Sequence, residues 1–136
     1  MKNLTKRKAK EYYASIGRVW CPALNDYVIF NSIGFNHLIR KRGILRAGSE
    51  QKRRLNLLAD AVDMIANPGI EFSHDKKCVF HVAHRGNEKL ALTTSGDFWK
   101  FVQEKDNKIV KVIIRQFEGG SKHFFSVYAR EQKTAH

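Results

Sequence analysis

A chain of 136 residues with a hydrophobic fraction of 43% suits one domain with its own core, and excludes disorder throughout. Two cysteines, Cys21 and Cys78, far apart, exclude a disulfide framework and a paired zinc-knuckle spacing, and read as reduced thiols of a cytoplasmic protein. The formal net charge of +12 excludes an acidic or neutral surface and points to a polyanionic partner.

The charge is unevenly spread: residues 1–56 hold thirteen lysines and arginines against three acids, residues 57–136 twelve against ten. An anionic membrane is the competing partner, but that calls for a helix with a broad apolar face, and the N-terminal stretch has only scattered apolar residues. No run is long and apolar enough to span a bilayer, and Met1–Lys8 has no apolar stretch behind its charges, so it does not read as a secretory signal.

Leu4, Lys8 and Glu11-Tyr12 fall at roughly helical spacing before Gly17, so residues 1–17 read as a basic helix or an arm that orders on binding. Residues 18–136 read as one α+β domain. Val19-Trp20-Cys21 and Tyr27-Val28-Ile29-Phe30 are two strands, joined by the turn chemistry of Pro22–Asp26. Asn31-Ser32 can cap a helix that carries Ile33, His37 and Arg40-Lys41 and stops at Gly43. A longer helix opens at Ser49-Glu50-Gln51-Lys52. Leu55, Leu58, Ala59, Val62 and Ile65-Ala66 form its apolar stripe, and Asn67-Pro68-Gly69 ends it.

After Gly69 the period changes. Lys77–Ala83 alternates, Lys89–Thr94 is extended, and Phe98–Val102 is an aromatic run of open type. Ile109–Arg115 is the clearest strand, Glu118–Ser121 a turn, and Lys122–Tyr128 the last strand. The expected fold is α+β, with N-terminal helices on one face of a C-terminal antiparallel sheet of about four strands.

The last strand is the most informative for chemistry. Strict alternation puts Lys122, Phe124, Ser126 and Tyr128 on one face and His123, Phe125 and Val127 on the other. With the core under Phe125 and Val127, a cation, a hydroxyl and a phenol face outward beside an aromatic ring. That suits phosphate and base contact, and equally an ordinary solvated face. His37 lies among Arg40, Lys41 and Arg42; nearby cations keep an imidazole neutral, as a general base requires, although a lone histidine in a basic patch is more often plain surface. Arg115, at the end of the strongest strand, has the two-point geometry for a phosphate. Arg46 and Lys52-Arg53-Arg54 suit phosphate contact or a plain solvated helix face, and the overall charge favours contact.

A zinc site from His74, Cys78, His81 and His84 is rejected, because on a strand His81 and His84 point to opposite faces. Gly119-Gly120 lacks the lysine and the helix of a phosphate loop. Neither metal nor cofactor is expected.

The segments Val28–Lys41, Val110–Arg115 and Lys122–Tyr128 resemble the strand-then-histidine-helix element and the closing strands of the barnase–EndoU–colicin–RelE ribonucleases, in their phage and bacterial toxin-like branch. The resemblance covers residues 18–130 in order of elements. It implies metal-independent RNA cleavage, transfer RNA among the substrates, by attack of the ribose 2′-hydroxyl to give a 2′,3′-cyclic phosphate. His37 would be the helix-borne base or acid. Arg115 and Lys122 would neutralise the transition state, Ser126 would orient the phosphate, and His123 or Tyr128 would supply the second proton-transfer group. It also implies an inhibitor or antitoxin protein as a partner. The departure is that His123 and Ser126 fall on opposite faces of the strand. The alternative reading is a non-catalytic basic RNA- or DNA-binding module; a third is a basic partner of an acidic protein.

Overall fold

Gly17, with a φ of +64°, ends the first helix, α1 (Lys6–Ile16), in the left-handed conformation that glycine adopts without strain. The computed structural model describes residues 6–131, apart from the side chains of residues 6, 80–85 and 89–92. Leu4 therefore lies outside the described residues. α1 is packed into the body of the fold. Ala9 and Tyr13 are buried, and the Tyr13 hydroxyl donates to the Asn31 carbonyl at 2.6 Å.

β1 (Arg18–Cys21) and β2 (Asp26–Ile29) form the expected hairpin. Its turn closes where the Asn25 N–H donates to the Pro22 carbonyl, with Asn25 at φ +51°. The side chain of Asn31 then accepts from the Ile33 N–H at 3.1 Å and starts α2 (Ser32–Ile39). This helix is shorter than its sequence suggests. Arg40–Lys41 (β3) turns back on Ile44–Leu45 (β4), and Arg42 and Gly43 both take positive φ. That pair of left-handed residues matches the twist of a two-residue hairpin, so Gly43 makes a turn and the basic triplet leaves the helix.

The next helical stretch is also divided, into α3 (Gly48–Asn56) and α4 (Leu58–Ala66). At the break the Leu57 N–H reaches the Arg54 carbonyl. Leu55 and Leu57 are both buried, yet two residues apart they would lie on nearly opposite sides of a continuous helix. The break lets both reach the core. Gly69 then donates to the Asn67 side chain, closing the turn after α4.

β5 (Glu71–Arg85), β6 (Glu88–Lys105), β7 (Lys108–Phe117) and β8 (His123–Glu131) form an antiparallel meander. The Phe98–Val102 run lies in the C-terminal half of β6. The sheet has six strands, in the order β1-β2-β8-β7-β6-β5, because the first hairpin docks on β8. That junction is the one parallel pairing among the described residues, Ile29 opposite His123, with the Ile29 N–H donating to the Lys122 carbonyl. The expectation of about four strands missed it, since nothing in a hairpin's own sequence names its outer neighbour.

Val110, Val112 and Ile114 of β7 are buried with Phe101 of β6 and Phe124 and Val127 of β8. Ala9, Tyr13, Leu38, Leu58, Met64 and Ile65 belong to the same cluster from the helical side. Each fully buried large side chain contributes about 1.5–3 kcal/mol. α2 packs on β8 so closely that a Cβ on Gly34 would lie 2.5 Å from the Phe124 carbonyl oxygen. No described helix is long and apolar enough to cross a membrane.

One irregularity sets the orientation of β8. Ile113 pairs with Ser126 but Ile114 pairs with Phe124, leaving Phe125 as an extra residue, a β-bulge.

Candidate active site

The bulge breaks the alternation of the last strand. Directly opposed residues of an antiparallel pair point to the same face. His123, Ser126 and Tyr128 stand opposite Arg115, Ile113 and Lys111, so all three share the face that carries Arg115. Phe124 and Val127, opposite Ile114 and Val112, turn into the core. The expected division, with His123 opposed to Ser126 and the core under Phe125, is thereby corrected.

Arg115 is held on three sides. Its Nε donates to His123 Nε2 at 2.7 Å, and its guanidinium carbon lies 3.9 Å from the centre of the Phe125 ring and 4.8 Å from that of Phe117. An arginine can only donate, so Nε2 of His123 is the unprotonated nitrogen and Nδ1 carries the hydrogen, facing the Ser121 carbonyl at 3.4 Å. Burial, and then the Arg115 charge, hold the His123 pKa down, with Ser121 acting the other way. His123 is thus a neutral, buried acceptor that aims Arg115. Both of its ring nitrogens have partners within the protein.

His37, on α2, stacks on the same Phe125 ring, centre to centre at 4.2 Å and 22° between planes. Its pKa is pushed down to about 4, first by burial and then by the charges of Arg46, Arg54, Arg115 and Lys41. The imidazole is therefore neutral at working pH. Arg46 approaches from the loop before α3, where its Nε donates to the His37 carbonyl at the end of α2. Arg54, on α3, crosses to the last strand. Its Nε pairs with Glu50 at 3.0 Å, and its Nη1 donates to Ser126 Oγ at 3.2 Å and toward the Val127 carbonyl at 3.4 Å. Ser126 is buried, so its hydroxyl seats Arg54. Tyr128 lies beside it, 5.9 Å from ring centre to the Arg54 guanidinium carbon.

His37, Arg46, Arg54, Arg115, Ser126 and Tyr128 thus converge with His123 and Phe125. Lys122 does not join them. Its Nζ pairs with Asp26 at 2.9 Å and lies over Trp99, whose partner in β7 is the core residue Ile114. Arg40, Lys41, Arg42, Lys52 and Arg53 are exposed, with Arg53 partly paired to Glu50. The basic run of α3 is therefore split: Arg54 turns inward, and Lys52 and Arg53 face solvent. Sequence reading missed Phe125 as a site residue, because alternation assigned it to the core and a bulge leaves no local signature in the strand.

Of the histidines weighed for zinc, His74 stacks on Trp99 and hydrogen-bonds Asp97, while the side chains of His81 and His84 lie outside the described residues. Among the described residues no group of three or more histidine, cysteine or acidic side chains is placed to hold a metal. A cleft of about 720 Å³ between Arg53, Asp60, Lys108 and Arg130 includes none of the converging residues, and its mixed charges do not gather around a nucleophile or base. Comparison with family models, curated proteins and solved structures finds no match for this chain.

Proposed function

We propose that the chain is a metal-independent endoribonuclease of the barnase–EndoU–colicin–RelE type, acting on RNA, transfer RNA among the candidate substrates. The observation that carries this reading is one neutral histidine set among three inward-turned guanidiniums, on a ring it shares with Arg115.

In this reading the scissile phosphate binds to the free edges of Arg54 and Arg115. Its negative charge offsets the cations that depress His37 and makes the imidazole a stronger base. His37 takes the 2′-hydroxyl proton, and the 2′-oxygen forms its bond to phosphorus. Arg54 and Arg115 stabilise the charge that builds on the phosphorane oxygens. The bond to the 5′-oxygen breaks as that oxygen receives a proton from Tyr128, leaving a 2′,3′-cyclic phosphate. Tyr128 recovers its proton from solvent, to which His37 returns the one it took. Ser126 and His123 act as positioning residues, for Arg54 and Arg115. The exposed Arg40, Lys41, Arg42, Lys52 and Arg53 hold the flanking backbone.

The test is incubation of the protein with total RNA and transfer RNA in EDTA, beside His37→Ala and Arg115→Ala. Discrete fragments ending in cyclic phosphate, absent with both variants, are the expected result. RNA that stays intact but shifts on a native gel would make the chain a binding module.

A further inference from the structure

Arg115 also borders a second space. A cleft of about 470 Å³ is lined by Val79, Thr94, Arg115 and Phe117. All four stand on the face of the sheet that carries the catalytic cluster. Phe117 opposes Gly96 across β6 and β7, Thr94 lies two residues before Gly96, and Val79 opposes Thr94 across β5 and β6. The cleft therefore continues the site along the long hairpin, with Arg115 as their common wall.

One wall of the cleft is aromatic. Gly96 has no side chain, and a Cβ there would lie 2.9 Å from two carbons of the Phe117 ring, so Phe117 lies down against the β6 backbone. Phe98 supports it edge-on, ring centres 6.4 Å apart at 85°, and Lys77 sits 5.4 Å over Phe98. The lining combines apolar surface from Phe117 and Val79, one hydroxyl from Thr94, and a guanidinium that the proposed reaction already places on the phosphate. A nucleobase has matching chemistry: two apolar faces, a polar edge, and a phosphate tethered one ribose away.

We infer that this cleft is a base-binding subsite, which takes the base of a nucleotide next to the phosphate held at Arg115. The inference rests on the ribonuclease reading and deepens it. Thr94 is the hydrogen-bonding group that discriminates among bases, and Phe117 is the stacking wall, worth about a tenfold gain in affinity.

The test is binding of the four nucleoside 3′-monophosphates and of ribose 3-phosphate, which lacks the base, by titration calorimetry. The proteins compared are the unmodified chain, Thr94→Phe, which fills the cleft, Thr94→Val, which removes only the hydroxyl, and Phe117→Ala. At least one nucleotide is expected to bind about tenfold tighter than ribose 3-phosphate. Thr94→Phe and Phe117→Ala should erase that difference, and Thr94→Val should change the ranking of the four bases. Equal affinity for nucleotides and ribose 3-phosphate overturns the subsite. If RNA is nevertheless cleaved in a His37-dependent way, the ribonuclease reading stands without it. A preference that survives Thr94→Phe places the base elsewhere and also overturns the inference. Absence of both cleavage and binding sinks the two together.

Discussion

Arg115 and His123 are joined across the last two strands by a 2.7 Å hydrogen bond in which the arginine Nε is the donor. The bond needs a neutral histidine, because a protonated imidazole has no lone pair to offer and would set two cations together. The site thus holds an imidazole that serves Arg115 only when neutral, beside a second one, His37, whose pKa burial and neighbouring cations push down to about 4.

His123 acts through Arg115, and conservative replacement should show it. His123→Gln keeps a carbonyl acceptor and is expected to retain most of the cleavage activity. His123→Ala should lower kcat/KM about 10²-fold, the order of loss that follows misplacement of a reacting group by an ångström. The loss should fall mainly on kcat, and urea denaturation should show whether the variant is folded under assay conditions. Equal activity of His123→Ala and the parent chain would remove the positioning role.

His37→Ala should reduce the cleavage rate about 10²–10⁴-fold, the usual contribution of a general base. Affinity for uncleavable RNA with 2′-O-methyl riboses should change little, since the proposed reaction assigns the phosphate contacts to the arginines. Parallel loss of binding and cleavage would contradict the assignment.

Arg54 has partners of its own at Glu50 and Ser126. Arg54→Lys keeps the charge but cannot hold both while presenting a free edge, so it should be nearly as inactive as Arg54→Ala. Lys122→Ala, in contrast, breaks a pair with Asp26 away from the cluster and should leave cleavage within about twofold, any effect being one of stability. A large, purely catalytic loss on removing Lys122 would require the site to extend around the strand.

Stability should fall on mild acidification. His37 has its pKa lowered from 6.5 to about 4, and His123 is lowered as well, so between those values the unfolded chain binds protons that the folded chain does not. Stability therefore rises with pH in this window: it is complete above about 6.5 and declines as pH drops toward 4. After solvent screening the His37 part is about 1–2 kcal/mol. Urea titrations at pH 7 and pH 5 measure it, and His37→Phe, which keeps a ring against Phe125, should flatten the difference. An unchanged difference in that variant would assign the acid sensitivity to other groups.

Gly34→Ala tests the seat of the histidine helix. The added methyl would meet the Phe124 carbonyl and the Tyr13 hydroxyl, each at 2.5 Å, with backbone on one side that cannot yield. A loss of at least about 1–3 kcal/mol is expected in urea denaturation, with cleavage falling as α2 is pushed off β8. Unaltered stability would mean that the helix is free to move.

Several features were legible in the sequence because their causes are local. Pro22–Asp26 turns the chain, Asn31 caps a helix three residues from a buried stripe, and the apolar alternation of Ile109–Ile114 makes a strand; each rests on residues within a few positions of one another. The charge, and the histidine and arginines as types, were equally plain. What only the tertiary structure decided was which of them meet. The parallel seat of β2 on β8, the break at Leu57 and the extra residue at Phe125 depend on pairing and packing between segments distant in the chain. A bulge alters no residue type, yet it turns His123, Ser126 and Tyr128 to one side, while a carboxylate nearly a hundred positions away takes Lys122 to the other. Local propensity and periodicity report on neighbours in sequence, and register is chosen by hydrogen bonds and contacts made across the fold.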